Sequence, residues 1–363
     1  MTITFAKKLE QIPGYVAGAP AGKSPESIAG EGIAQLASNE SPFGPHPAVV
    51  EAISRAAAAS NRYPDPSGGL LRRRIAERYE VDPSNVALSN GSCEILLAAA
   101  LALCEPGAEL VYAWPSFSIY PYIAPLSGAR EIRVPLADGD VHDLDAMTAE
   151  ITAATQLVIV CNPNNPTSTH IPAAKIAEFC ERVPDHVTVI VDEAYIEFQV
   201  DDDPDATLDL RKDFPNLVLL RTFSKVYGLA GLRVGYAICS PRFRAAVDAV
   251  RQPFSVNAIA QAAAAEAIRH GDDVAKRVEQ TIVERVRVEE GVRGLGLRTP
   301  DSQANFSWID LGDADEKEVV AKLGEQGILV RAGTPLGGPG HIRVSYGLPN
   351  ENERFLEALG KLV

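Results

Sequence analysis

At 363 residues the chain is too long for one small core, so two domains are expected. A hydrophobic content of 46% with 26 prolines and 28 glycines suits a globular α/β protein, and no internal repeat, heptad array or low-complexity tract interrupts it. The net charge of -14 argues against nucleic acid as a partner, because phosphate backbones bind surfaces rich in Lys and Arg.

The opening MTITFAKKLE lacks the apolar core of a signal peptide, and no run approaches the ~18 apolar residues of a spanning helix, so the expected home is the cytoplasm, away from membranes. Residues 1–35 read as an arm, since IPGYVAGAPAGK is too rich in Gly, Pro and Ala for a regular element. LASNESPFGPHPAV leads into a helix predicted over 48–60. NRYPDPSGG is then a loop before a second helix carrying Arg72, Arg73 and Arg74. A strand at 85–88 turns through SNGSCEILLAAALALCEPG into a helix capped by Ser92 and stopped by Pro106-Gly107. A glycine at a helix start leaves amides pointing outward with the positive dipole end behind them, which is a natural phosphate seat.

Strands follow at 110–112 and 132–134, and the apolar runs 157–161 and 187–191 read as buried strands. The first delivers NPNNPT and the second delivers Asp192 and Tyr195 in DEAY. DDDPDATLDLRKDFPN reads as a solvated acidic loop without chemistry. Strands at 217–220 and 234–238 flank RTFSKVYGLAGLR, which makes seven candidates and a mostly parallel sheet covered on both faces by helices. From Gln252 a long Ala-rich helical stretch, about 258–295, leads to ANFSWIDL, GILVRAG and HIRVSYG, strands of a smaller sheet with helices near 315–325 and 350–360. The expected division is an arm over 1–35, a large α/β domain over 36–250 and a small α+β domain over 251–363.

Ligands in open α/β sheets bind at the carboxyl ends of strands, where NPNNPT, DEAY and SK, with an arginine eight residues on, are delivered. This ordered set resembles the fold type I pyridoxal-phosphate aminotransferases, within them the group of histidinol-phosphate and aromatic amino acid enzymes. The resemblance runs from about Tyr15 to the C-terminus. RTFSKVYGLAGLR, PSFSIYP, NPTST and SQANFSW look most like the aromatic, or phenylalanine, branch seen in actinobacteria.

The resemblance implies a cofactor, pyridoxal 5'-phosphate, and a role for each matching residue. Lys225 holds the cofactor aldehyde and moves a proton, work that suits a lysine whose pKa is lowered by its surroundings. Asp192 keeps the pyridine nitrogen protonated. Tyr195 and Asn165 face the phenolic oxygen. Phe117 stacks on the ring. Arg233, Thr222, Ser224, Gly91 and Ser92 hold the phosphate, and Cys93 stands beside them where an acidic residue is common. Tyr63, in RYPD, reaches the partner's cofactor phosphate, which implies a homodimer. Arg343 receives the substrate carboxylate, Arg331 is a second anion site, and Tyr15 and Asn39 fall at substrate contacts.

The implied reaction is an exchange of amino groups between aromatic amino acids and 2-oxo acids such as 2-oxoglutarate. The alternatives are transamination of histidinol phosphate, a decarboxylase on the same scaffold, or a cofactor-binding sensor. A nicotinamide dehydrogenase would want GxGxxG at a first strand-to-helix turn, and GLAGLRVG has the wrong spacing. The five cysteines are odd in number and set mostly among apolar residues, as expected of reduced core thiols. The six histidines show no HxxxH or HxH spacing, so no metal site is expected.

Overall fold

A computed structural model describes residues 3–12, 14 and 32–363. Its centre is a seven-stranded sheet in the order Val86–Ser89, Gly235–Ile238, Leu217–Thr222, Thr188–Asp192, Thr155–Cys161, Glu109–Trp114, Arg130–Pro135. All seven strands stand where the apolar runs predict them. Gly235–Ile238 alone is antiparallel to its neighbours, and the other pairs are parallel.

The central strands are continuous apolar runs because both faces are covered. Val158, Ile159 and Val160 have no exposed surface, and each such residue stabilises the fold by about 1.5–3 kcal/mol. On one face Leu110, Tyr112, Ile159 and Ile190 pack beneath Ser92–Leu103, Tyr120–Ser127 and Pro241–Val250. On the other, Val111, Val158 and Val189 meet Ala173–Cys180. One edge of the sheet therefore collects the carboxyl ends of six strands and the amino end of the reversed one. That edge carries Gly91, Asn165, Asp192, Lys225 and Arg233.

Beyond this sheet, the residues towards the C-terminus form a three-stranded antiparallel sheet in the order Arg331–Ala332, His341–Ser345, Phe306–Asp310, backed by Glu316–Glu325 and Pro349–Leu359. Two expectations change here. The helical stretch expected over 258–295 is two helices, Ala258–Ala267 and Gly271–Gly294. Between them the Arg269 and His270 amides turn to carbonyls three residues back, and Asp272 and Asp273 open the second helix. GILVRAG is likewise two short strands, and Ile328–Leu329 stands apart from the three-stranded sheet and pairs in parallel with Ala34–Gln35. The end of the expected arm is thus regular, and Ala34 and Leu36 belong to the C-terminal core.

Among the described residues no helix is long and apolar enough to cross a membrane. All five cysteines are free thiols.

Candidate active site

A cavity of about 360 Å³ opens between the carboxyl edge of the large sheet and the small sheet. Thirteen of the expected residues line it: Asn39, Ser92, Cys93, Phe117, Asn165, Asp192, Tyr195, Thr222, Ser224, Lys225, Arg233, Arg331 and Arg343. Gly91 adjoins it through Arg233. Tyr63 does not line it; this ring is 83% exposed and stacks on Phe254 at 4.7 Å beside a separate surface groove. Tyr15 lies outside the described residues.

Lys225 follows Leu217–Thr222, and its Nζ donates to the Ser38 carbonyl at 3.1 Å and lies 5.4 Å from the centre of the Tyr195 ring. It keeps some surface towards the cavity, yet protein walls surround it. Loss of water around the ammonium, and then the Arg343 charge, bring its pKa down to about 7, against the opposing pull of Glu40.

Asp192 ends its strand in the sheet interior with 2% exposure. Its Oδ2 accepts a 2.9 Å hydrogen bond from the Tyr120 hydroxyl, while Oδ1 is buried with no partner. Burial raises this carboxyl to about 6, and the Tyr120 hydrogen bond is the largest opposing influence. Tyr120 reads from the sequence as a packing residue and does belong to the core beneath the sheet; its hydroxyl's hold on Asp192 is a further role that the sequence reading missed. The available signal is its place three residues after Phe117, which puts both on one short turn with rings 5.7 Å apart.

The Tyr195 hydroxyl accepts from Asn39 Nδ2 at 3.1 Å and from Asn165 Nδ2 at 3.2 Å. Burial moves its pKa well up, so it is a neutral phenol at physiological pH. Asn39 takes a left-handed backbone conformation (φ 53°), which asparagine tolerates better than most residues, and Ser345 Oγ bonds both its amide and its side-chain oxygen. Asn165 is oriented from the other side, because its Oδ1 accepts from Arg343 Nη1 at 2.6 Å. Arg343 Nη2 donates to the Ala37 carbonyl at 2.7 Å. Arg331 is the cross-strand partner of Arg343, so both guanidinium stems leave the same sheet face.

At the far end Gly91, not Ser92 as expected, stands at the cap position of Ser92–Leu103, and no side chain caps that helix. The Gly91 amide is already committed to Ser89 O, so donors come from the helix's first turn rather than from Gly91 itself. Arg233 Nη1 donates to Ser224 Oγ at 3.3 Å and to Ala230 O at 3.1 Å. A Cβ on Gly91 would run into Arg233 Nη2, and the residue has φ +76°, so glycine lets the turn and the guanidinium converge. Cys93 keeps some surface on this wall, and burial raises its thiol pKa.

A lysine able to lose its proton near neutrality, a half-satisfied buried carboxylate and converging cations on an α/β sheet edge are the parts of an enzyme for amine-bearing anions. The model of the class I and II aminotransferase family matches residues 31–359, and the chain belongs to that family. It is 45% identical to an aromatic amino acid aminotransferase of Thermobifida fusca, covering 96% of this chain and 94% of that protein. Identity to the Streptomyces coelicolor enzyme of the same name is 42%, over 96% and 95%. Among solved structures, a histidinol-phosphate aminotransferase from Sinorhizobium meliloti in complex with pyridoxal-5'-phosphate superposes with a TM-score of 0.88 at 29% identity, covering 100% and 98% of the two proteins.

Proposed function

We propose that this aminotransferase exchanges amino groups between aromatic amino acids and 2-oxo acids such as 2-oxoglutarate, with pyridoxal 5'-phosphate as cofactor and a homodimer as the working unit. The observation that carries the reading is the convergence of Lys225, Asp192 and Arg343 on one cavity, in a chain 40–45% identical to relatives named for aromatic substrates.

The residues fit the cofactor. Asp192 Oδ1 is a buried acceptor with no protein donor, which suits a protonated pyridine nitrogen. The Gly91 turn, Arg233 and Ser224 form an anion cradle that a side chain at 91 would fill. When bound, pyridoxal phosphate supplies an aldehyde that takes up amino groups and a ring that withdraws electrons from the substrate Cα.

The protein's own groups do the rest. Lys225 Nζ, with a pKa near 7, would hold the cofactor aldehyde and, as a free amine, would take the proton from the substrate Cα. Tyr195 receives two amide donors, so its own proton would be available to the cofactor's phenolic oxygen. Phe117, on the cavity wall, would cover one ring face. Arg343 receives the α-carboxylate as a bidentate fork, which orients the Cα–H bond. Arg331 takes a side-chain anion such as that of glutamate. On a reading of the chain as an arm over 1–35, a domain over 36–250 and a domain over 251–363, both larger units would contribute to the cavity lining. Exposure of Tyr63 and Phe254 beside a groove containing Pro64 and Ile259 suits burial against a second copy.

A second reading, transamination of histidinol phosphate, draws on Arg331, since a guanidinium that binds a carboxylate also binds a phosphate. Steady-state assays decide between them: phenylalanine with 2-oxoglutarate should yield phenylpyruvate and glutamate without carbon dioxide. Turnover of histidinol phosphate instead, or carbon dioxide release, would replace the proposal.

A further inference from the structure

The loop between the strands that bear Arg331 and Arg343 is held with unusual firmness for a surface connection. Thr334 N and Oγ1 and Gly340 N all donate to the Glu316 carboxylate, at 2.9, 2.7 and 2.9 Å. Glu316 itself is 8% exposed. Gly333 N bonds His341 O at 2.8 Å and Gly338 N bonds Gly333 O at 3.1 Å, which closes the loop on itself.

The tip of the loop lies against both tryptophans of the protein. A Cβ on Gly337 would stand 2.6 Å from Trp114 Nε1, and one on Gly338 would overlap Trp308 Cζ2. Trp114 belongs to the large sheet and Trp308 to the small one. The loop therefore bridges the large and small sheets.

Leu336, in the short turn Thr334–Leu336, is 3% exposed yet belongs to none of the four hydrophobic cores formed by the described residues. Leu336 is among the residues that line the active cavity. Among the described residues of that lining, Phe117 and Leu336 are the large side chains with no polar atom. Phe117 lies with Tyr120 and Asp192, at the floor. Leu336 comes with the loop that follows Arg331, from the small sheet.

We infer that Leu336 is a specificity-determining residue, the apolar wall against which the side chain of an aromatic substrate rests while Arg343 holds its carboxylate. The inference deepens the aromatic reading above and rests on it. Both partners of an amino-group exchange must enter one cavity in turn. An acidic side chain finds Arg331, and a planar apolar one finds Leu336 on the same loop-bearing hairpin. The rigid seat on Glu316 and the two tryptophans keeps that wall in place without substrate, so little ordering entropy opposes ring binding.

The test uses the cofactor-loaded enzyme and two unreactive acids, 3-phenylpropionate and glutarate, titrated by calorimetry, alongside kcat/KM for phenylalanine and glutamate in separate half-reactions. Leu336→Ala is expected to lower the phenylalanine-to-glutamate ratio of kcat/KM, and the affinity for 3-phenylpropionate relative to glutarate, by about tenfold, or about 1.4 kcal/mol. Leu336→Met, which keeps volume and apolarity, should restore both ratios to within about threefold. Equal losses for both acids in the two variants would mean that the residue only supports the loop, and unchanged ratios would remove it from the pocket; either result overturns the assignment. An unsubstituted enzyme that turns over no phenylalanine sinks the aromatic reading itself, and this assignment with it.

Discussion

The Tyr120 hydroxyl donates a 2.9 Å hydrogen bond to Oδ2 of Asp192 from a helix buried against the sheet, and so leaves Oδ1 as the carboxylate's one open acceptor. A hydrogen bond to a charged group contributes about 1.5–3 kcal/mol. Tyr120→Phe removes that support from the anion, so the Asp192 pKa should rise further above about 6. Activity needs the carboxylate, which is lost as pH falls through its pKa. The variant should therefore lose about tenfold in kcat/KM at pH 7, and its acid limb should move to higher pH. A pH–rate profile superimposable on that of the parent enzyme would show that Tyr120 only packs.

Lys225 is depressed to about 7 because burial strips water from its ammonium. The neutral, nucleophilic amine should therefore appear as pH rises through about 7, well before a solvated lysine loses its proton near ~10.4. Trinitrobenzenesulfonate labelling of cofactor-free protein, read at this residue by peptide mass spectrometry, should follow that midpoint. Labelling that begins only near the ordinary lysine value would show that Lys225 is well hydrated and poorly suited to its proposed role.

Gly91→Ala forces a methyl into the space of the Arg233 guanidinium. The fold should survive, since a non-glycine residue in this sparsely allowed backbone region (φ 76°, ψ 156°) costs about 1–3 kcal/mol. Affinity for pyridoxal phosphate, measured by equilibrium dialysis, should drop at least about tenfold, the loss expected from one displaced charge-assisted contact. Full retention of affinity would move the phosphate seat elsewhere.

Arg221 and Glu193 form an ion pair at 2.7 Å with 1% and 0% exposure, and Arg221 also reaches Asp205 and the Pro204 carbonyl. Arg221→Met leaves Glu193 buried without its counter-charge, which should cost about 3–5 kcal/mol of stability. The shift is readable in the urea midpoint of the cofactor-free protein. A midpoint within error of the parent's would mean that water reaches the pair.

The sheet and the floor of the site were legible in the sequence for a physical reason. Strands buried on both faces must be continuous apolar runs, and the run 187–191 delivers Asp192 wherever the strand is drawn. Lys225, Asn165 and Arg233 follow from motifs at strand ends. Groups held by contacts distant in sequence were not legible in the same way. The hydrogen bonds from Arg343 to Ala37 and from Ser345 to Asn39 join residues 306 apart. The acidic stretch around Asp205 reads as a solvated loop because its buried partner Arg221 belongs to another strand. The split of GILVRAG at Val330 depends on Ala34–Gln35 offering an edge, and nothing within those seven residues encodes that edge.

One amino-group transfer from an aromatic substrate is the shared role proposed for Lys225, Asp192 and Arg343. It is tested most directly by mixing loaded enzyme with phenylalanine, tyrosine or histidinol phosphate and following the cofactor's visible absorbance through one turnover. Rapid loss of the band with phenylalanine or tyrosine, little change with histidinol phosphate, and no response in Lys225→Ala are expected. Full turnover by Lys225→Ala would contradict the mechanism, and a preference for histidinol phosphate would contradict the substrate.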